Sequence, residues 1–108
     1  MYPSLFRYKS DILTIETIES ASLSLYRKKL YFRSIHRGTK EMDKLLGEFA
    51  TKYLLKFTFN QLSVYEQLLE LSDDVLYRGF LDPEKFSTLV TEGIGEFLQE
   101  FQYSFKLS

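Results

Sequence analysis

Met42-Asp43-Lys44-Leu45-Leu46-Gly47-Glu48-Phe49-Ala50-Thr51-Lys52-Tyr53 is the stretch that decides the fold. Met42, Leu45, Leu46, Phe49, Ala50 and Tyr53 fall at i, i+3, i+4, i+7, i+8 and i+11, the spacing of one buried face on an α-helix. Lys40, Asp43, Lys44 and Lys52 are left for the wet side.

Downstream, Lys56-Phe57-Thr58 reads as a connection, and Thr58 with Gln61 has the form of a capping box. Leu62, Tyr65, Leu68 and Leu69 then face inward on the next helix. Ser72-Asp73 caps a short helix carrying Val75, Leu76 and Phe80. Asp82-Pro83 predicts another helix start, an N-cap followed by proline at the first helical position. That last helix would carry Phe86, Leu89, Val90, Ile94, Phe97, Leu98 and Phe101 on one face.

Upstream, Leu23, Tyr26 and Leu30 form a stripe that Phe32 and Ile35 widen, predicting a helix over about 22–36 that Gly38 is placed to stop. Residues 1–21 carry no sustained stripe, and Asp11-Ile12-Leu13-Thr14-Ile15-Glu16 reads as a short extended segment. Tyr103, Phe105 and Leu107 alternate, which suggests an extended tail. The expected organisation is an N-terminal extension over 1–21, partly ordered at most, one domain over 22–103, and a tail over 104–108. Short connections favour antiparallel neighbours. The expected fold is all-α, a compact bundle of about five short helices.

Composition narrows the function classes. The chain has 108 residues, 44% hydrophobic and 27% charged, with 10 Phe and 8 Tyr to fill a core. With no Cys, it has no disulfide, no thiolate metal site and no cysteine nucleophile. Net charge is only −1, but it is unevenly spread. Leu23 to Lys40 contains Arg27, Lys28, Lys29, Arg33, Arg37 and Lys40 without an acid. Asp82 to Glu100 contains Asp82, Glu84, Glu92, Glu96 and Glu100 against Lys85 alone. No apolar run approaches the roughly 20 residues that span a bilayer, and no apolar segment follows the first charges as in a signal peptide. Asp11, Glu16 and Glu19 are out of keeping with an acid-poor transit peptide. The expected location is therefore cytoplasmic.

Chemistry-bearing constellations are few. His36, the only histidine, has no neighbouring acid to orient it. Asp73 and Asp74 read as caps, and Gly93-x-Gly95 lies within a helix pattern rather than after a strand. The basic first helix could follow phosphates, with Tyr31 and Phe32 to stack on bases, but the acidic pI of about 5.8 and the lack of a recognition helix oppose this. The informative cluster is the corner His36-Arg37-Gly38-Thr39-Lys40-Glu41-Met42-Asp43. Gly38 could end one helix or cap the next, with Glu41 then reaching back to the cap. Arg37 is not needed for that capping, and its planar fork is expected to project outward toward a carboxylate or phosphate of a partner.

This corner resembles the hallmark of the FAD assembly factors of succinate dehydrogenase (succinate dehydrogenase assembly factor 2 in mitochondria), Arg-Gly-x-x-Glu, here Arg37-Gly38-Thr39-Lys40-Glu41. The similarity spans about residues 26–81 and includes Arg27-Lys28-Lys29-Leu30, Arg33-Ser34, Asp43, Leu45-Leu46-Gly47, Phe49-Ala50, Leu68-Leu69-Glu70-Leu71, Asp73 and Leu76-Tyr77. It departs from the family pattern at Val75, where a second acid is usual, and at Gly79-Phe80, where a tryptophan is usual. The resemblance implies a small helical bundle in the bacterial cytoplasm or the mitochondrial matrix, and the bacterial cytoplasm is the location expected here. It implies a non-catalytic, chaperone-like protein that binds the flavoprotein subunit of succinate dehydrogenase, or of fumarate reductase, and promotes covalent attachment of FAD. Arg37, Gly38 and Glu41 would contact the client, surrounded by Arg33, His36 and Lys40. FAD would belong to the client, with no cofactor held stably by this chain, no nucleic acid and no membrane insertion. The alternatives are a nucleic-acid-associated regulator using the first helix and a generic helical interaction module.

Overall fold

A computed structural model describes the backbone of residues 4–107 and the side chains of residues 19–88 and 90–102. It is an all-α fold of five helices: α1 (Ser4–Ile35), α2 (Lys40–Tyr53), α3 (Phe59–Leu69), α4 (Asp73–Leu81) and α5 (Gly95–Leu107). Short 3-10 turns at Leu54–Lys56, Pro83–Lys85 and Thr88–Val90 complete it, and no strand occurs among the described residues.

The stripe on α2 is buried as its spacing predicts, from Met42 to Tyr53. Phe49 lies at the centre, and rings from α3, α4 and α5 close on it. α3 begins with the expected capping box: Gln61 N donates to Thr58 Oγ1 at 3.2 Å, and Thr58 N donates to Gln61 Oε1 at 2.8 Å. Thr58→Ala should therefore lower stability by about 1 kcal/mol in urea unfolding and leave the rest of the fold unchanged. Leu62, Tyr65, Leu68 and Leu69 face the core. Ser72 caps α4, which buries Leu76, Gly79 and Phe80. Val75 does not join them and is 45% exposed.

α1 is much longer than the helix expected over 22–36, and the extended reading of Asp11–Glu16 is corrected, because that backbone is helical. No glycine or proline interrupts residues 4–37. Once a helix is nucleated, each further residue costs little, so it propagates past the point where its apolar stripe ends. A missing stripe is therefore no sign that the backbone is unwound. The same reason carries α5 through Leu107, where an extended tail was expected.

On α1 the buried line is Leu23, Tyr26, Leu30 and Ser34 rather than a stripe widened by Phe32, which is 60% exposed. Phe32 is two residues from Leu30, roughly 200° around the helix. Ser34 is fully buried and donates to Leu30 O at 2.8 Å. Its oxygen then accepts from Tyr65 OH at 2.6 Å, which joins α1 to α3. α1 also lies close against α2: a Cβ at Gly47 would sit 3.0 Å from Ile35 Cγ2. Arg27 fastens the far end of α2 by donating to Leu54 O and Phe57 O, each at 2.9 Å.

The single helix expected from Asp82-Pro83 to Phe101 is broken. Asp82 caps only the 3-10 turn Pro83–Lys85, and Phe86 is extended. The Phe86 ring lies against the Gly79 backbone, where a Cβ would overlap it, so burial of this side chain overrides helical continuation. Gly93 adopts φ 84°, a left-handed conformation that ends the local turn before α5 starts. Gln61 Nε2 donates to Gly93 O at 2.9 Å and ties this bend to α3.

Candidate functional site

The corner between α1 and α2 is held from inside by two charged side chains. Asp43, on the first turn of α2, accepts from Arg37 N at 2.6 Å and from Gly38 N at 3.3 Å. Thr39 is the N-cap and accepts from Met42 N at 3.2 Å. Glu41 is therefore one residue too early for a capping box, and the reach-back expected of it is taken over by Asp43. Gly38 turns the chain with φ 115°, a conformation that disfavours a side chain even though the space around it is open.

Arg37 does not project outward, and that expectation is corrected. Its side chain is only 15% exposed. Nη1 donates to Leu69 O at 2.6 Å, Nη2 to Leu71 O at 2.9 Å, and Nε to Asp73 Oδ1 at 2.9 Å. The acceptors are the last carbonyl of α3, a carbonyl of the turn that follows it and the first residue of α4, so the guanidinium plugs a helix C-terminus while pairing with an acid. The α1–α2 corner is thereby pinned to the α3–α4 turn. Asp73, expected to be only a cap, is the counterion.

Arg33 is also committed within the chain, pairing with Glu70 at 2.6 Å and with Glu66 at 3.7 Å. Glu66 also accepts from Tyr26 OH at 2.5 Å, and burial together with this bond pushes the Tyr26 phenol up to about 12. Tyr26 thus stays a proton donor at neutral pH. Of the basic run, Arg27, Arg33 and Arg37 all spend their guanidinium groups on the protein itself, leaving Lys28, Lys29 and Lys40 exposed. This removes most of the phosphate-tracking surface that the nucleic-acid alternative requires.

What the corner shows to solvent is His36, Gly38, Thr39, Lys40 and Glu41. Neither Lys40 nor Glu41 takes part in the ion pairs or side-chain hydrogen bonds found among the described residues. His36 stacks on Phe32 with ring centroids 4.0 Å apart, and its Nδ1 lies 2.9 Å from Phe32 O. A carbonyl can only accept, so Nδ1 holds a proton and Nε2 faces away from that bond. The six residues singled out from the sequence thus divide. Arg33 and Arg37 build the corner, whereas His36, Gly38, Lys40 and Glu41 are presented by it. Asp43 and Asp73 stand in the resemblance but outside those six, and their part in building the corner was not read from the sequence; the only local signal was an acid six residues after Arg37.

No group of three or more His, Cys, Asp or Glu able to hold a metal ion occurs among the described residues. No described helix is long and apolar enough to cross a membrane.

Residues 28–101 match a family model described as flavinator of succinate dehydrogenase. Among curated proteins, the chain is 40% identical over 76 residues to succinate dehydrogenase assembly factor 2, mitochondrial, of Dictyostelium discoideum, covering 67% of this chain and 54% of that protein. It is 47% identical over 57 residues to the protein of the same name from Kluyveromyces lactis, covering 52% and 35%. With the Debaryomyces hansenii protein it shares 37% over 74 residues, covering 65% and 52%. The chain spans about half the length, or less, of these relatives. No solved structure matches it. The expected bacterial cytoplasmic location does not stand, because these relatives are eukaryotic and named mitochondrial. That expectation drew on acids near the N-terminus, and such residues bear on a transit peptide rather than on the compartment of the folded domain.

Proposed function

The chain belongs to the family of flavinators of succinate dehydrogenase, and from that premise we propose that it binds the flavoprotein subunit of that enzyme and promotes covalent attachment of FAD. The observation that carries this reading is the construction of the corner. Arg37 and Asp43 hold the turn, while Lys40 and Glu41 stand exposed without an ion-pair or side-chain hydrogen-bond partner among the described residues. A preorganised turn loses little backbone freedom on docking, so the ordering cost is confined to the side chains it displays.

The Arg37 donors are already occupied within the chain, so they are not free to hold a flavin or its pyrophosphate. FAD is the client's, and no cofactor is held stably by this chain. The helper acts by holding client and flavin in a near-attack arrangement, which lowers the barrier without supplying a nucleophile. His36, stacked on Phe32, serves as a contact rather than as a base.

The test uses purified apo-flavoprotein, FAD and this chain, with covalent flavin read by fluorescence after denaturing electrophoresis. Glu41→Gln should keep its melting temperature, since Glu41 is exposed and caps nothing, and should lose at least about tenfold in flavinylation rate. Full activity in Glu41→Gln, or no stimulation by the unmodified chain, would count against the proposal.

A further inference from the structure

Beside the corner, α1 and α2 form an open groove whose floor is Ile35, Ala50 and Leu54. Its rim carries Tyr31, Phe32 and Leu55, all exposed, Leu55 at 80%. Single exposed apolar residues are ordinary on a protein surface, but these three share one groove. At Tyr31 and Thr51 the groove runs on into a second depression flanked by Lys44, Lys52 and Glu48. Lys28 stands on the first rim. The face therefore combines apolar anchoring positions with more basic than acidic groups.

We propose that this groove is a second docking surface for the client, and that its occupant is an acidic segment of the flavoprotein carrying apolar anchors. The proposal rests on the function argued above, since it takes the client to be the partner already at the corner. Phe32 makes the two surfaces continuous, because it lines the groove and also stacks on His36. Charge complementarity selects an acidic segment, and the apolar rim requires side chains to fill it. A second copy of this chain fits less well. Its acidic end, residues 82–100, offers charge, but none of the large exposed apolar side chains among the described residues lies there.

Because the chain contains no cysteine, Leu55→Cys provides one attachment point for a photo-crosslinker. Leu55 is so exposed that the substitution should leave the fold intact. With purified flavoprotein, the crosslinked peptide is expected to come from the client and to be rich in Asp or Glu beside apolar residues. Leu55→Asp and Lys28→Glu should each weaken binding about tenfold, with unchanged melting temperature. Crosslinks only between copies of this chain, crosslinks to a neutral or basic client peptide, or full affinity in Leu55→Asp would overturn the groove proposal. If Glu41→Gln loses binding while Leu55→Asp keeps it, the groove fails and the corner function stands. If the unmodified chain does not bind flavoprotein, both fail.

Discussion

Replacing Phe49 with alanine is expected to destabilise the protein by about 4 kcal/mol, a large share of the total stability of a small domain. Phe49 is fully buried, and its ring is where the helices meet. Centroids lie 4.9 Å from Tyr53 on α2 itself, 5.6 Å from Tyr65 on α3, 5.2 Å from Phe80 on α4 and 5.4 Å from Phe101 on α5. Phe57, in the connection after α2, stands at 6.1 Å. Several of these pairs are edge-to-face, a geometry that adds to simple burial. Removing the ring takes a packing partner from each of those helices at once. The surrounding rings are large and rotamer-limited, so they cannot collapse into the space left behind. Urea unfolding followed by far-UV circular dichroism would measure the loss, with Phe49→Leu as control at about 1 kcal/mol. A loss under about 1.5 kcal/mol for alanine would mean that the rings do relax inward.

The second large effect concerns Arg37. Arg37→Ala should cost about 3 kcal/mol, because it strips donors from the Leu69 and Leu71 carbonyls and leaves Asp73 unpaired. Part of that cost is relieved by water, since the Asp73 side chain is partly exposed. Arg37→Lys should recover less than half, as one ammonium cannot reproduce a fork spread over three acceptors. Hydrogen exchange would localise the damage, with faster exchange at residues 37–43 and 69–73 and little change around Phe49. An Arg37→Ala protein with unchanged stability would refute the clamp. The expected result also bears on function. Loss of client binding in Arg37→Ala would follow from a loosened corner, whereas loss in Glu41→Gln would report a missing contact. Comparing the two variants separates the group that builds the surface from the group that it displays.

Helical class, the face of α2, the capping box of α3, the cap of α4, and the corner itself were all legible in the sequence. Each is a local property: an apolar repeat near 3.6 residues, or a side chain bonding to backbone a few residues away. The readings that failed depended on something distant. Phe86 leaves the helical path because Gly79 offers a flat backbone to pack on. Helix α1 runs to Ser4 because nothing interrupts it, although its apolar stripe does not extend that far.

By itself the sequence determined that this chain folds as helices around an aromatic core, and it singled out the α1–α2 corner as the candidate surface. Only the tertiary structure decided what each residue of that corner does. Arg37 and Glu41 are four residues apart on one turn, and local chemistry lets either face a partner. Arg37 turns inward because α3 happens to end beneath it, with unpaired carbonyls and Asp73 within reach of its long side chain. Glu41 turns outward because Asp43 already holds the amides it could have capped. Helical periodicity is written in neighbouring residues, but the destination of a long charged side chain is set by acceptors that the fold brings from more than thirty residues away.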